Sequence, residues 1–169
     1  NDFLSIERLD TSKVTYKFTT FNLSKIINEV VYNANMLLKS GQRIIIPQNS
    51  DDFILQQDEK ILELILSNLI YNAVKYSPEN TTVKLHIIKN GKSIIFNIID
   101  EGIGIPANDQ KFIFNRYFRA ENVLNTQGTG IGLNIVQAHL ENLGGSINFT
   151  SEENKGSIFT VKLPLKNEL

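Results

Sequence analysis

The chain contains 169 residues, carries a formal net charge of −1 and has no cysteine. Its length fits one domain, or one domain with a fragment of another, and its 41% hydrophobic residues suffice for a full core. The balanced charge gives no general attraction for nucleic acid, so we expect any phosphate to be bound by local chemistry. The lack of cysteine excludes disulfides, thiolate catalysis and zinc–thiolate sites.

The first half of the chain is predicted to hold two long helices and three short strands. Residues 1–12 resemble the end of an amphipathic helix, and residues 13–18 alternate apolar and polar positions as a strand does. A helix is expected from the N-cap Asn22 to Gly41. Two candidate strands follow at 43–46 and 52–55. A second helix is expected from the cap Asp58 to Tyr76.

The second half is predicted to contain two hairpins and a third long helix. The first hairpin joins strands 83–89 and 93–100 through a type I′ turn at Asn90-Gly91. A helix over 131–143 follows, and a second hairpin turns at 154–156. These elements predict a two-layer α/β (α+β) sandwich, in which three helices cover one face of a mixed, largely antiparallel sheet.

Polar side chains form an unusual stripe on the second helix. Asn68, Asn72 and Lys75 fall on one face of it. Asparagine is a poor helix former because its amide competes for the backbone, so a plain wet face would favour Glu, Lys or Gln. The pattern is compatible with a ligand-binding surface and with an ordinary solvated stripe.

Two glycine motifs carry the other candidate chemistry. In "IIFNIIDEGIGIP", Asp100 ends a buried-looking strand and Gly102 and Gly104 would let a flat ligand approach the backbone, although a glycine turn with a capping aspartate explains the same letters. In "GTGIGL" (128–133), glycines open a helix whose free N–H groups can bind an anion. The spacing is that of neither a P-loop nor a Rossmann fingerprint, and tight helix packing through glycine is the alternative.

The segment between the glycine motifs, "KFIFNRYFRAENVLNTQ", combines aromatic residues with two arginines. A short helix is expected near 109–114, and the remainder is long enough to be a lid whose arginines meet phosphate. A small satellite core is the alternative. Of the two histidines, His86 is expected to face solvent on a strand and His139 to lie on the apolar face of the third helix, and no histidine cluster suggests a transition-metal site.

The order of these motifs resembles the ATP-binding domain of sensor histidine kinases, in the Bergerat-fold superfamily shared with gyrase, the heat-shock chaperone ATPases and the mismatch-repair ATPases. "LSNLIYNAVKYS" is similar to the N box of that family, "DEGIGIP" to its first glycine box, "IFNRYFRA" to its F box, "GTGIGLNIV" to its second glycine box and "NKGSIFTVKLPL" to its closing hairpin. The resemblance covers about 21–165. It implies a mixed-sheet sandwich with ATP on the helical side under a lid.

The resemblance also implies roles for individual residues. Asn72 would bind Mg²⁺, Asp100 would accept from the adenine amino group, and Lys75 would meet phosphate. The implied catalytic residues are Asn68, Asn72 and Lys75, and the implied nucleotide-binding residues are Asn68, Asn72, Lys75, Tyr76, Asp100, Gly102, Gly104, Ile105, Arg116, Phe118, Gly128, Thr129, Gly130, Ile131, Gly132 and Leu133. Ile158 stands where the closing hairpin often has threonine, which puts a water-linked adenine contact in doubt.

One position bears on the reaction. In the hydrolysing relatives, a glutamate four residues before the magnesium asparagine activates water, whereas this chain has Asn68, which cannot act as a base. The resemblance therefore favours transfer of the ATP γ-phosphoryl group to a histidine over hydrolysis. A free-standing ATPase and a non-catalytic, nucleotide-sensing interaction module remain the alternatives.

The implied partners lie largely outside the chain. Neither histidine has the setting of the family's phosphoacceptor, so residues 1–20 are expected to be the end of a dimerisation and phosphoacceptor hairpin with its linker strand, and 21–169 the catalytic domain. The implied partners are ATP, the protein's own dimerisation domain and a response regulator, within a homodimer. The domain is expected in the cytoplasm, with a membrane anchor possible elsewhere in the full protein.

Overall fold

The computed structural model describes residues 14–46, 53–115, 118–120 and 132–165. The predicted helix over 1–12 therefore lies outside the described residues. The elements in chain order are β1 (Phe18–Asn22), α1 (Leu23–Asn35), β2 (Arg43–Ile45), β3 (Ile54–Asp58), α2 (Glu59–Lys75), β4 (Thr82–Asn90), β5 (Ser93–Asp100), a 3₁₀ helix (Ala107–Phe112), α3 (Gly132–Asn142), β6 (Ser146–Glu152) and β7 (Gly156–Pro164).

The main sheet has five strands in the order β2-β4-β5-β7-β6. The short edge strand β2 pairs with β4 in parallel, and the other neighbours are antiparallel. A separate two-stranded sheet joins β1 to β3. This arrangement confirms the predicted mixed, largely antiparallel sheet.

The core lies between the main sheet and the three helices. Every second residue of the central strands points toward the helices, and Phe96 on β5 is fully buried there. The apolar faces of α1, α2 and α3 complete the same cluster, through residues that include Ile27, Leu66 and Val136. The alternating strands and the helical period of the sequence thus predict the same two-layer core that the structure shows.

Both predicted N-caps are confirmed. The side-chain oxygen of Asn22 accepts from the main-chain N–H of Ser24 at the start of α1. The Oδ1 atom of Asp58 accepts from the Ile61 N–H at 3.0 Å and begins α2, while its Oδ2 accepts from the Lys17 N–H at 2.8 Å. Asp58 therefore caps a helix and also holds the chain that leads into β1.

Three boundaries differ from the prediction. The strand expected over 13–18 begins only at Phe18, and α1 ends at Asn35 rather than at Gly41, because the chain from Met36 turns toward the end of α2. The first hairpin turns around Gly91-Lys92, because Asn90 pairs with Ser93. Gly91 alone has a positive φ there, which is the pattern of a type II′ turn, so the type I′ prediction is wrong.

Other elements agree within a few residues. The strand expected at 52–55 is β3, the short helix expected at 109–114 is the 3₁₀ helix, and the last hairpin turns through Asn154 and Gly156, both at positive φ. His86 is exposed on β4, and His139 is buried. Within the described residues, no helix has the length and apolar character needed to cross a membrane.

The two N-caps give a matched test of stability. Asp58→Ala leaves two main-chain N–H groups near a buried position without their acceptor and should lower the free energy of unfolding by about 2–3 kcal/mol, whereas Asn22→Ala should lower it by about 1 kcal/mol. Urea unfolding of both variants measures the difference. Equal losses of unfolding free energy in the two variants would show that the hydrogen bond from Lys17 to Asp58 does not contribute to stability.

Candidate functional site

The polar face of α2 is formed as the sequence predicts. The amide nitrogen of Asn72 donates to Oδ1 of Asn68, one turn earlier, at 3.3 Å. The Lys75 ammonium lies 5.2 Å from the centre of the Tyr76 ring, in a cation–π contact. All four side chains are half-buried, while the opposite face of α2 packs into the core. The carboxamides are therefore held on rigid helix and remain partly accessible.

The start of α3 lies against this face. Gly132 is so close to the carboxamide of Asn68 that a Cβ atom at this position would collide with it. A residue larger than glycine here would require the Asn68 side chain to move, so close packing on α2, the alternative explanation, contributes to the choice of glycine at this position. Leu133 follows, partly buried against the core. The other predicted residues of this motif, Gly128, Thr129, Gly130 and Ile131, lie outside the described residues.

Asp100 ends β5 beside the first glycine motif. One of its carboxylate oxygens, Oδ1, accepts from the Gly102 N–H at 2.9 Å and from the Ser157 N–H at 3.1 Å. Burial raises the pKa of the Asp100 carboxyl, and the two main-chain donors offset part of that rise. Asp100 is thus a carboxylate held in place by the backbone in a poorly hydrated setting.

The glycines of the first motif allow close approach of other chain segments. The space beside Gly102 is taken by the Tyr76 carbonyl, the Ser77 hydroxyl and the Asp100 carboxylate. Gly104, at a φ of +67°, lies directly against the backbone of β6. These contacts make both glycines necessary for packing, whatever ligand binds near them.

One main-chain hydrogen bond joins the two halves of the site. The Ile103 N–H donates to the Tyr76 carbonyl at 3.1 Å. This bond ties the loop after β5 to the end of α2, so Asp100 and the C-terminal end of the α2 polar face lie close together. The spatial grouping of these predicted residues could not be read from their separation in sequence.

Two serines of the last hairpin, which no sequence motif indicates, lie beside Asp100 and the first glycine motif. Ser157 donates its N–H to Asp100, and its hydroxyl lies 2.7 Å from that of Ser151. The Ser151 hydroxyl also accepts from the Ile105 N–H at 2.8 Å, which places Ile105 against the hairpin. Ile158 instead pairs with Ile99 and is exposed, so Ser157 is the hairpin residue beside Asp100. The contact of Ser157 with Asp100 depends on the register between β5 and β7, and apolar alternation does not distinguish registers that differ by two residues.

Of the segment between the motifs, the structure describes residues 111–115 and 118–120. The rings of Phe112 and Phe118 are in contact at 5.5 Å, which places Phe118 against the 3₁₀ helix. Phe114 packs edge-to-face on Phe149 of β6, and its carbonyl accepts from the Asn134 side chain of α3 at 3.1 Å. These contacts fix the start of the segment. Arg116 lies outside the described residues, as does most of the predicted lid.

The donor set suits a hard cation that is shared with phosphate. Among the described residues, no three His, Cys, Asp or Glu side chains come together as a metal site. The amide nitrogen of Asn72 faces Asn68, so the carbonyl oxygen is the end of its carboxamide that is directed elsewhere. Magnesium is commonly bound through one or two protein oxygens together with substrate phosphates and water, and the site fits that pattern.

Comparisons with known proteins agree on one family. Residues 57–167 match the family described as "Histidine kinase-, DNA gyrase B-, and HSP90-like ATPase". The sensor-like histidine kinase SenX3 of Mycolicibacterium smegmatis is 31% identical over 165 residues, which are 96% of this chain and 43% of SenX3. The chain thus spans less than half the length of this relative.

Solved structures have the same fold. A nucleotide-free catalytic domain of histidine kinase ThkA superposes with a TM-score of 0.72 at 27% identity, covering 88% of this chain and 95% of that domain. Full-length ShkA, solved in complex with AMPPNP, superposes with a TM-score of 0.81 at 24% identity, covering 99% of this chain and 35% of ShkA. The predicted fold class is therefore confirmed.

Asp100 gives a test that separates stability from binding. Because its pKa is raised in the folded protein, wild-type stability falls as the pH rises from the ordinary aspartate range through the raised pKa. Asp100→Asn lacks this loss, so at neutral pH its free energy of unfolding should equal or exceed that of wild type, with a difference that shrinks in acid. Binding of adenine nucleotide should weaken by about tenfold or more.

Urea unfolding across mildly acidic to neutral pH, with calorimetric titration of nucleotide, measures both effects. A variant that is less stable than wild type at every pH would show that the hydrogen bonds from Gly102 and Ser157 need a charged acceptor and outweigh the burial cost.

Proposed function

Because the chain belongs to the family of histidine kinase-, DNA gyrase B- and HSP90-like ATPases, we propose that it is the ATP–Mg²⁺-binding catalytic domain of a two-component sensor histidine kinase. In this proposal it transfers the γ-phosphoryl group of ATP to a histidine on a separate dimerisation domain. The observation that carries the proposal is the link of Tyr76 to Ile103, which unites the carboxamide face of α2 with Asp100 inside the matched region.

Asp100 would recognise the base. Its carboxylate can accept from an exocyclic amino group, as adenine presents, and would repel the oxo group that guanine has at that position. Two main-chain donors fix the Oδ1 atom, so the carboxylate need not reorganise when the base arrives. The AMPPNP complex of ShkA, which has the same fold, supports an adenine nucleotide as the ligand.

Asn72 would hold the magnesium ion through its side-chain oxygen, beside phosphate oxygens. When bound, the ion offsets the negative charge of the phosphates. Lys75 would add a positive charge at the same end of α2, and the start of α3, with the glycines before it, would present N–H groups to phosphate. Asn68 would position Asn72, to which it is already hydrogen-bonded.

Phosphoryl transfer is favoured over hydrolysis by the chemistry of Asn68. A carboxamide cannot take a proton from water near neutral pH, and the Oδ1 atom of Asn68 already accepts from Asn72. A site that aligns ATP without activating water preserves the γ-phosphoryl group for another acceptor. The names of the relatives, which include the sensor-like kinase SenX3, support a histidine as that acceptor.

The acceptor would belong to a partner domain. His86 is paired across the sheet with Asn97 on exposed strand surface, and the His139 ring is buried with its Nδ1 atom 2.9 Å from the Tyr16 hydroxyl. Neither setting offers an exposed histidine on a helix. We infer that residues 1–20 lead from a dimerisation and phosphoacceptor domain, that the full protein is a homodimer, and that a response regulator receives the phosphoryl group.

Asn72→Ala tests the magnesium site. The variant should lose magnesium-dependent binding of a non-hydrolysable ATP analogue, by about tenfold or more, because the side-chain oxygen is removed. Calorimetric titration with and without magnesium gives the measurement. Asn33→Ala, an equivalent change at an exposed position of α1, is the matched control and should bind as wild type does. Loss of the analogue in both variants, or in neither, would contradict the assignment of Asn72.

The isolated chain should not phosphorylate itself on histidine. Incubation with radiolabelled ATP and magnesium should give no acid-labile phosphate on His86 or His139, since one lies on open strand surface and the other is buried. Free phosphate should also accumulate no faster than in the Asn72→Ala variant. Steady phosphate release that depends on Asn72 would favour the free-standing ATPase instead.

A further inference from the structure

We propose that Lys39, in the loop after α1, is a positioning residue for the nucleotide site, and that it acts through the C-terminal end of α2 rather than by contact with the nucleotide. This inference rests on the proposed function. It concerns a residue outside all of the sequence motifs, 35 or more positions before the carbonyls that it binds.

The Lys39 ammonium binds three carbonyl groups at once. Its Nζ atom lies 2.8 Å from the Val74 oxygen, 3.0 Å from that of Lys75 and 2.8 Å from that of Ser77. An ammonium group has three N–H donors, so these three carbonyl groups provide one acceptor for each of them. Burial lowers the pKa of Lys39, as expected for an ammonium drawn out of water toward peptide carbonyls.

Gln42 holds the loop from which Lys39 extends. Its side-chain oxygen accepts from the Lys39 N–H at 2.9 Å, and its amide donates to the Val74 carbonyl at 3.0 Å. Gln42 is buried, with 5% of its surface exposed, so the loop is fixed against α2. The backbone of Lys39 is therefore held against the same helix end that its ammonium group binds.

The end of a helix needs such partners. The last four carbonyls of an α-helix have no partner within the helix, and a positive charge there opposes the negative end of the helix dipole. At the end of α2, the Ala73 carbonyl accepts from the Ser77 hydroxyl, and the Val74 and Lys75 carbonyls accept from Lys39. The carbonyl of the C-cap residue, Tyr76, accepts from the Ile103 N–H. Lys39 thus satisfies the carbonyls on both sides of Tyr76.

That position couples Lys39 to both halves of the site. The Lys75 and Ser77 carbonyls flank the Tyr76 peptide, whose oxygen holds the Ile103 N–H and fills the space beside Gly102. If these carbonyls move, the Tyr76 oxygen moves with them. The Lys75 side chain and the loop that begins at Asp100 then lose their fixed relative placement.

The opposite end of α2 provides a matched control. Lys25 of α1 forms an ion pair with Glu59, the first residue of α2, at 2.8 Å. Both lysines reach from the α1 region to one end of the same helix, and both are exposed as whole residues. The Lys25 contact lies at the end of α2 that is remote from Tyr76, so Lys25→Met removes a comparable surface contact without disturbing the site.

The test compares Lys39→Met with Lys25→Met and wild type. Calorimetric titration with a non-hydrolysable ATP analogue and magnesium should show binding weakened about tenfold in Lys39→Met and unchanged in Lys25→Met. Both variants should be more than nine-tenths folded by urea unfolding, so a loss of stability alone would leave the measured affinity unchanged. Lys39→Arg, which keeps the charge and the donors, should bind more tightly than Lys39→Met.

A second measurement follows the mechanism directly. Hydrogen exchange of the Ile103 N–H, observed by NMR without nucleotide, should be faster in Lys39→Met than in Lys25→Met. Unchanged affinity in Lys39→Met, or unchanged exchange at Ile103, would overturn the proposal. If wild type itself does not bind the analogue, the proposed function fails instead, and the exchange experiment still decides whether Lys39 fixes the Tyr76 peptide.

Discussion

The hydrogen bond from the Ile103 N–H to the Tyr76 carbonyl is the contact on which the site depends. The carboxamides come from the helical layer and Asp100 comes from the sheet, so nothing in either layer alone sets their relative position. This main-chain bond, 3.1 Å long, joins the two. Gly102 permits it, because a side chain at that residue would collide with the Tyr76 carbonyl and separate helix from loop.

The features that the sequence predicts well are those set by short-range physics. Asn22 and Asp58 each cap a helix through main-chain groups two or three residues away, so local sequence suffices to identify them. The apolar period of α2 and the alternation of β5 predict which faces are buried, and the order of the motifs indicates the family. The polar stripe of Asn68 and Asn72 follows from the same helical period.

The features that it does not predict depend on long-range partners. The apolar period of α1 continues beyond Asn35, which favours a longer helix, but the bonds of Lys39 and Gln42 to the end of α2 require the chain to turn earlier. The contact of Ser157 with Asp100 depends on the register between β5 and β7. A shift of that register by two residues would keep the same face of β7 buried but would place Phe159 beside Asp100 in place of Ser157, so the apolar alternation alone does not identify this contact.

The burial of Asp100 would link the proposed binding of nucleotide to the stability of the fold. A carboxylate withdrawn from water destabilises the fold unless donors replace the lost hydration, and the two main-chain N–H groups replace it only in part, because the pKa stays raised. A ligand that brings one more donor favours the charged carboxylate and so stabilises the folded chain. The same carboxylate opposes a ligand that presents an acceptor, which would leave two acceptors facing each other out of water. The proposed selectivity for adenine and the stability cost of burying the Asp100 carboxylate would therefore have the same physical origin.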